Sequence, residues 1–139
     1  MLEITESTVM ADMSAVIDVL TDLRDLGVRI SIDDFGTGHS SLARLHELPV
    51  DEVKIDQSFV RAASGPAGDT TMLELVITLA TRLGLDLVAE GIETPEQLEV
   101  LNRLGARYGQ GFLLARPASP EGWALTGLGS TDRAEPSVR

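Results

Sequence analysis

Apolar and polar positions alternate in five short runs of the chain: "LEIT" (2–5), "VRISID" (28–33), "DEVKID" (51–56), "LDLVAE" (85–90) and "YGQGFLL" (108–114). A period of two marks a β-strand. Between these runs the apolar spacing changes to that of a helix, with Val16, Ile17, Leu20 and Leu23 in one segment and Leu73, Val76, Ile77 and Ala80 in another. Helix starts are signalled as well. Thr71-x-x-Glu74 reads as a capping box, and Thr94-Pro95-Glu96-Gln97 adds proline at the first helical position. Ser119-Pro120 reads as a third start. "LRDLGVRI", "ATRLGLDL" and "LNRLGARY" each place a glycine after a helix's last leucine and then re-enter a strand. Gly27, Gly84 and Gly105 therefore suit a left-handed C-terminal cap. A repeated helix-to-strand connector predicts successive βα units, with a parallel sheet and helices outside it. Residues 62–69, "AASGPAGD", read as a mobile loop, and the tail from Gly127 lacks apolar periodicity and is expected to be disordered.

Composition narrows what such an array could do. A chain of 139 residues suits one domain, able to bury ~68–70% of its extended surface. Eleven basic and 22 acidic residues give a net charge of −11, which argues against coating a nucleic-acid polymer or an anionic membrane. The absence of cysteine excludes disulfides, thiolate metal sites and thiol catalysis. Glu74, Arg82 and Asp86 interrupt the longest apolar candidate before it reaches the ~20 residues of a membrane span. "MLEITESTVM" lacks the basic and apolar regions of a signal peptide, so a cytoplasmic protein is expected.

The alternation also locates candidate chemistry. Val28, Ile30 and Ile32 share one face of their run and leave Ser31 and Asp33 on the other, while Lys54 and Asp56 oppose Val53 and Ile55. In a parallel βα array the strand ends meet at the C-terminal rim, where active sites are built. Glu3, Asp33, Asp34, Lys54, Asp56, Glu90, Glu93 and Gln110 would converge there. So many carboxylates need cations, and oxygen donors without cysteine favour Mg²⁺, Mn²⁺ or Ca²⁺ over zinc. Neighbours on a regular strand point to opposite faces. Asp33 and Asp34 can both reach one site only where the strand gives way to the loop at Phe35-Gly36, and one of them could then bridge two metals. Lys54 could orient an attacking water or neutralise charge developing on a phosphate.

Each residue also has an ordinary structural explanation. Asp33-Asp34-x-Gly could be a surface turn, Lys54 a snorkelling lysine, and Glu3 and Glu6 simple first-turn acids. Glu93 could favour the following helix through its dipole, and Gln110 could mark a turn between Gly109 and Gly111. His46 reads as a solvated helix residue, and Phe112 and Trp123 read as packing. The aspartate-glycine loop fits neither an EF-hand nor a Walker A spacing.

Five stretches occurring in order carry a resemblance: "LEITES" (2–7), "DDFGTGHSSL" (33–42), "LPVDEVKIDQSFV" (48–60), "VAEGIET" (88–94) and "GQGFLLARP" (109–117). Together they resemble the EAL domain family, which hydrolyses cyclic di-GMP to linear pGpG. The resemblance implies an α/β fold, the C-terminal portion of a TIM-type (β/α)8 barrel with about five parallel strands, over residues 1–126, with 127–139 as a tail. It implies Glu3 and Asp33 as ligands of a first metal, with Asp33 bridging to a second served by Asp34 and Glu90. Mg²⁺ or Mn²⁺ would be that metal. Lys54 would contact the nucleophilic water, supported by Asp56, and Glu93 and Gln110 would shape the pocket. Phe35, Gly36, Thr37, Gly38, Ser40 and Ser41 would form a dimerisation and gating loop anchored by Glu6, with His39 standing where the family often has tyrosine.

A whole barrel of this type takes about 250 residues, and the Glu-Ala-Leu motif that names the family does not occur among these 139. The expectation is a truncated domain with an incomplete first metal site and weak or no turnover. It would form a homodimer or a strand-exchanged assembly, with an upstream sensor or GGDEF domain in a longer protein. Two other functions stay open: a non-catalytic module that binds cyclic di-GMP or a protein partner, and a lyase using Lys54 as a Schiff base.

Overall fold

The structure, a computed structural model, describes residues 1–37, 42–65 and 68–116. Five strands form one sheet, β1 (Leu2–Thr5), β2 (Ile30–Phe35), β3 (Glu52–Ile55), β4 (Asp86–Ala89) and β5 (Tyr108–Gly109), in the order β1-β2-β3-β4-β5. Every neighbouring pair is parallel. The spatial order follows the chain without reversal, as in a barrel and unlike a doubly wound sheet. The chain is thus an α/β array with the winding of a TIM-type barrel.

The connections are helical: α1 (Glu6–Ala11), α2 (Met13–Asp25), α3 (Gln57–Ser64), α4 (Thr71–Leu83) and α5 (Pro95–Leu104), with a 3-10 segment at Leu42–Glu47. One sheet face is apolar. Ile30, Ile32, Val53, Ile55, Leu87 and Ala89 are buried in a core shared with Leu20, Val60, Leu73, Val76, Ala80 and Leu101 of the helices. Fully burying each such large side chain stabilises the fold by about 1.5–3 kcal/mol. The opposite face carries Ser31, Asp33, Glu52 and Lys54, and β3 is buried along its whole length. At the N-terminal ends of the strands, Asp51 accepts the Ile30 N–H at 2.8 Å and an Arg24 hydrogen bond at 3.1 Å, which pins the start of β2. Among the described residues no helix is long and apolar enough to cross a membrane.

Several local expectations hold. Thr94 and Gln97 form both halves of the capping box of α5. Gly84 and Gly105 cap α4 and α5 with φ of 71° and 82°, and Gly27 follows α2 with φ 82°.

Others are corrected. β2 starts at Ile30 and runs on through Asp34 to Phe35, past the expected end at residue 33. The capping box at Thr71 does not form, because Thr70 holds the cap position, the Thr70 hydroxyl bonds Glu74, and Asp69 accepts the Thr71 N–H. Residues 62–64 belong to α3 and not to a loop, and 66–67 of that expected loop lie outside the described residues. β5 stops at Gly109, because the chain beyond it bonds to Ile92: the Gln110 carbonyl accepts the Ile92 N–H and the Leu113 N–H bonds the Ile92 carbonyl. The expected features at Gly38, His39, Ser40, Ser41, Ser119-Pro120, Trp123 and the tail from Gly127 lie outside the described residues.

Candidate metal centre

The geometry at the end of β2 follows from one extra residue. Ser31 pairs with Glu52 and Ile32 with Val53, yet the next matched pair is Phe35 with Ile55. Three residue steps on β2 therefore cover two on β3, which is the signature of a β-bulge. Asp34 absorbs it with φ 55°, the positive φ of a non-glycine residue, which aspartate tolerates better than most side chains. Phe35 consequently returns to the apolar core at 2% exposure. The two aspartates are released from strict alternation, and carboxylate oxygens of Asp33, Asp34 and Glu90 all lie within 4.8 Å of one another.

The loop after the bulge is fixed from two sides. Glu6, 3% exposed, accepts the Gly36 N–H at 2.6 Å. Gly36 has φ 93°, and a Cβ there would approach the Phe59 ring to 2.8 Å, so both backbone and packing require glycine. Thr37 closes the turn by donating its N–H and hydroxyl to the Asp34 carbonyl at 3.3 and 2.9 Å.

Lys54 stands in the middle of the acidic group. Its Nζ lies 2.7 Å from Glu90, 3.2 Å from Asp33 and 3.4 Å from Glu3. Burial works against the ammonium, but hydrogen bonds and charge from Glu90 and Asp33 outweigh it and hold Lys54 above the ordinary lysine range. The same Glu90 oxygen accepts from the Gln110 amide at 2.6 Å, so β3 and the residues after β4 and β5 meet at one atom.

Asp56 and Glu93 lie further along the rim. Asp56 caps α3 by accepting the Ser58 N–H at 2.9 Å. Burial opposes its charge, yet the hydrogen bonds from Ser58 and Gln57, with the Arg61 charge, hold its carboxyl below the ordinary value. Glu93 pairs with Arg61 at 3.4 Å, and its N–H donates to Gln97 at 2.7 Å.

A cleft of about 720 Å³ is lined by Asp34, Asp56, Glu90, Glu93 and Gln110 together with Phe112, Leu114 and Ala115. Phe112 is 56% exposed beneath the Arg116 guanidinium, 5.2 Å from its centroid. It is a cleft wall, where packing was expected. Gln97, which orders the Glu93–Thr94 turn, was not singled out from the sequence; the capping box was its only signal.

Chemically, three convergent carboxylates beside an ammonium offer hard oxygen donors, and that donor set fits a divalent cation such as Mg²⁺, Mn²⁺ or Ca²⁺. Asp33, Asp34 and Glu90 could hold one, with Glu3 adjacent.

The chain is 48% identical over 120 residues to the bifunctional diguanylate cyclase/cyclic di-GMP phosphodiesterase MucR of Pseudomonas aeruginosa, covering 86% of this chain and 18% of that protein. Its fold is similar to a solved PaMucR phosphodiesterase in complex with c-di-GMP, with TM-score 0.82 and 47% identity over 88% of this chain and 49% of that one. It is also similar to Klebsiella pneumoniae BlrP1 in a manganese/cy-diGMP complex, with TM-score 0.75 and 35% identity over 84% of this chain and 30% of that one. The chain therefore spans about half or less of the length of these relatives. The EAL domain model itself matches residues 1–117, and with the bulged aspartate pair and Lys54 in place the chain belongs to the EAL domain family.

Proposed function

We propose that the chain acts in the metal-dependent hydrolysis of cyclic di-GMP to linear pGpG. The observation that carries this reading is the convergence of Asp33, Asp34 and Glu90 within 4.8 Å, with the Lys54 ammonium held by Asp33 and Glu90. MucR's name and the nucleotide complexes of PaMucR and BlrP1 support the substrate, and BlrP1's manganese supports Mg²⁺ or Mn²⁺ as the cofactor.

In the reaction a water oxygen forms a bond to phosphorus as one P–O3′ bond breaks, and the 3′-oxygen leaves with a proton. Asp33, Asp34 and Glu90, with Glu3, would hold the cation, which when bound offsets phosphate charge and makes a nearby water more acidic. Lys54 donates toward the attacking water or the charge developing on phosphate. Glu90 and Asp33 fix the direction of that ammonium, and Gln110 fixes Glu90. Asp56 and Glu93 keep the cleft wall in shape through the α3 cap and the Arg61 pair. A cytoplasmic location, a second copy of the chain and an attached GGDEF domain belong to the same proposal, the last supported by MucR's bifunctional name.

A second reading, a non-catalytic module that binds the nucleotide, is favoured by the way the Lys54 ammonium already pairs with Glu3, Asp33 and Glu90, three of the carboxylates that would hold the cation. The two are separated by incubating residues 1–139 with cyclic di-GMP and Mg²⁺ or Mn²⁺ and following pGpG by chromatography, beside calorimetric binding. Slow turnover that vanishes in Asp33→Asn is expected. Binding without metal-dependent turnover establishes the second reading, and neither binding nor turnover overturns both.

A further inference from the structure

Glu52 is a buried carboxylate for which the proposed chemistry has no use. It is 7% exposed on β3, two residues before Lys54 and so on the same face of the sheet. Its Oε1 accepts a hydrogen bond at 2.8 Å from the Ser31 hydroxyl, and Ser31 is 0% exposed, two residues before Asp33 on β2. The Ser31–Glu52 rung therefore joins the two strands that carry Asp33 and Lys54, one layer nearer the strand starts. It is also a directly matched pair in the sheet, and the bulge begins immediately after the next match, Ile32 with Val53.

A buried polar pair is costly to form relative to an apolar one, and the best-attested use of such a group is to fix register. Here the apolar face specifies little. Ile30 and Ile32 face Val53 and Ile55, and a two-residue slip of β2 against β3 would keep every side chain on its own face. The slip would, however, bring Glu52 opposite Asp33 or Arg29, and Ser31 opposite Lys54 or Val50. The geometry points to the Ser31–Glu52 hydrogen bond as a positioning device that fixes the β2–β3 register just ahead of the bulge, and so brings Asp33 and Asp34 together at the rim beside Lys54. Glu52 acts through Asp33, Asp34 and Lys54 and touches no reacting atom. The consequence for metal binding rests on the phosphodiesterase reading, whereas the consequence for the bulge does not.

The bulge is read in metal-free residues 1–139 by NMR hydrogen exchange of the Gly36 amide, which is bonded to Glu6 beyond the bulge. The Leu85 amide, bonded to Ala80 at the end of α4, serves as the control for global opening. Ser31→Ala and Glu52→Leu should each speed Gly36 exchange about five- to tenfold, the scale of one lost hydrogen bond, while Leu85 keeps its rate. Glu52→Gln, which retains an acceptor oxygen, should stay near wild type, and the Ser31→Ala/Glu52→Leu double variant should be no faster than either single one. Should Glu52→Leu fail to fold, Ser31→Ala and Glu52→Gln still decide the matter. Unchanged Gly36 exchange in Ser31→Ala, or equal acceleration at Leu85, overturns the proposal. Mn²⁺ affinity measured by electron paramagnetic resonance should weaken about tenfold in Ser31→Ala and stay near wild type in Glu52→Gln. A wild-type chain that takes up no Mn²⁺ counts against the phosphodiesterase reading, and Gly36 then decides the inference alone.

Discussion

An ammonium withdrawn from water costs several kcal/mol unless anions replace its hydration, and Lys54 has Glu90, Asp33 and Glu3 within 3.4 Å. The dependence is mutual, because those carboxylates repel one another without a cation between them. Lys54→Met should therefore lower turnover about 10²- to 10³-fold, the scale of one lost electrostatic donor, while Mn²⁺ binds as tightly as before or tighter. Calorimetry beside the turnover assay checks this, and loss of Mn²⁺ binding in the variant would show that Lys54 organises the ligands and does not merely share their charge. Asp56 makes a different kind of prediction. Its folded-state carboxyl lies below the ordinary value of 3.8, so its contribution to stability is present above that value and is lost as pH falls through the folded one. Asp56→Ala removes a helix cap and should cost about 0.5–2 kcal/mol at pH 7. In urea unfolding series the gap between wild type and variant should narrow below pH 3.8; a gap constant with pH would place the loss in packing instead.

Among the elements, the bulge of β2 sets what the rim can hold, and it shows how far the sequence could be read. The strands were legible because apolar side chains alternate, and α4 and α5 because Gly84 and Gly105 mark their ends. The need for Asp33 and Asp34 to escape alternation was also legible. The means was not, since a bulge exists only relative to a partner, and the extra residue becomes visible once Phe35 is matched to Ile55. A site role for Asp56 is expected from the strand-end face it shares with Lys54 and from the family resemblance, while its capping of α3 has its own signal, an aspartate two residues before Ser58. Thr70 and Thr71 compete for one cap position, and their side-chain chemistry alone does not rank them. The loop after the bulge gives the element's test. Gly36→Ala must hold φ near 93° and displace the Phe59 ring, a strain of about 1–3 kcal/mol. Thermal unfolding should report that loss, and Mn²⁺ affinity should fall with it because Asp34 is two residues away. A variant as stable as wild type would mean that the loop relaxes independently of Phe59.

At the scale of the whole molecule, β1 and β5 are the outermost strands of the parallel sheet among the described residues, and an outermost strand is a template for pairing with another. Tyr108 and Phe112 near β5 are 52% and 56% exposed. Light scattering should accordingly find dimers or larger species, and a monodisperse monomer would contradict pairing through these strands. The molecule also carries a net charge of −11, with a concentrated share where Asp33, Asp34 and Glu90 meet. A cation that binds the folded arrangement and not the unfolded chain stabilises by mass action, by about 2.7 kcal/mol at a hundred times its dissociation constant. For a domain of this size, whose unfolding entropy scales as ~2.1 cal/mol/K per residue, that amounts to a rise in Tm of about 9 °C. Mn²⁺ should thus raise the melting temperature steadily with concentration, and a chelator should reverse it. Asp33→Asn removes one of the carboxylates proposed to hold the ion and one of the anions paired with Lys54, so it should melt somewhat lower than wild type without metal and gain little when Mn²⁺ is added. If both proteins gain equally, the ion is screening the general negative charge, and the three convergent carboxylates are not its site.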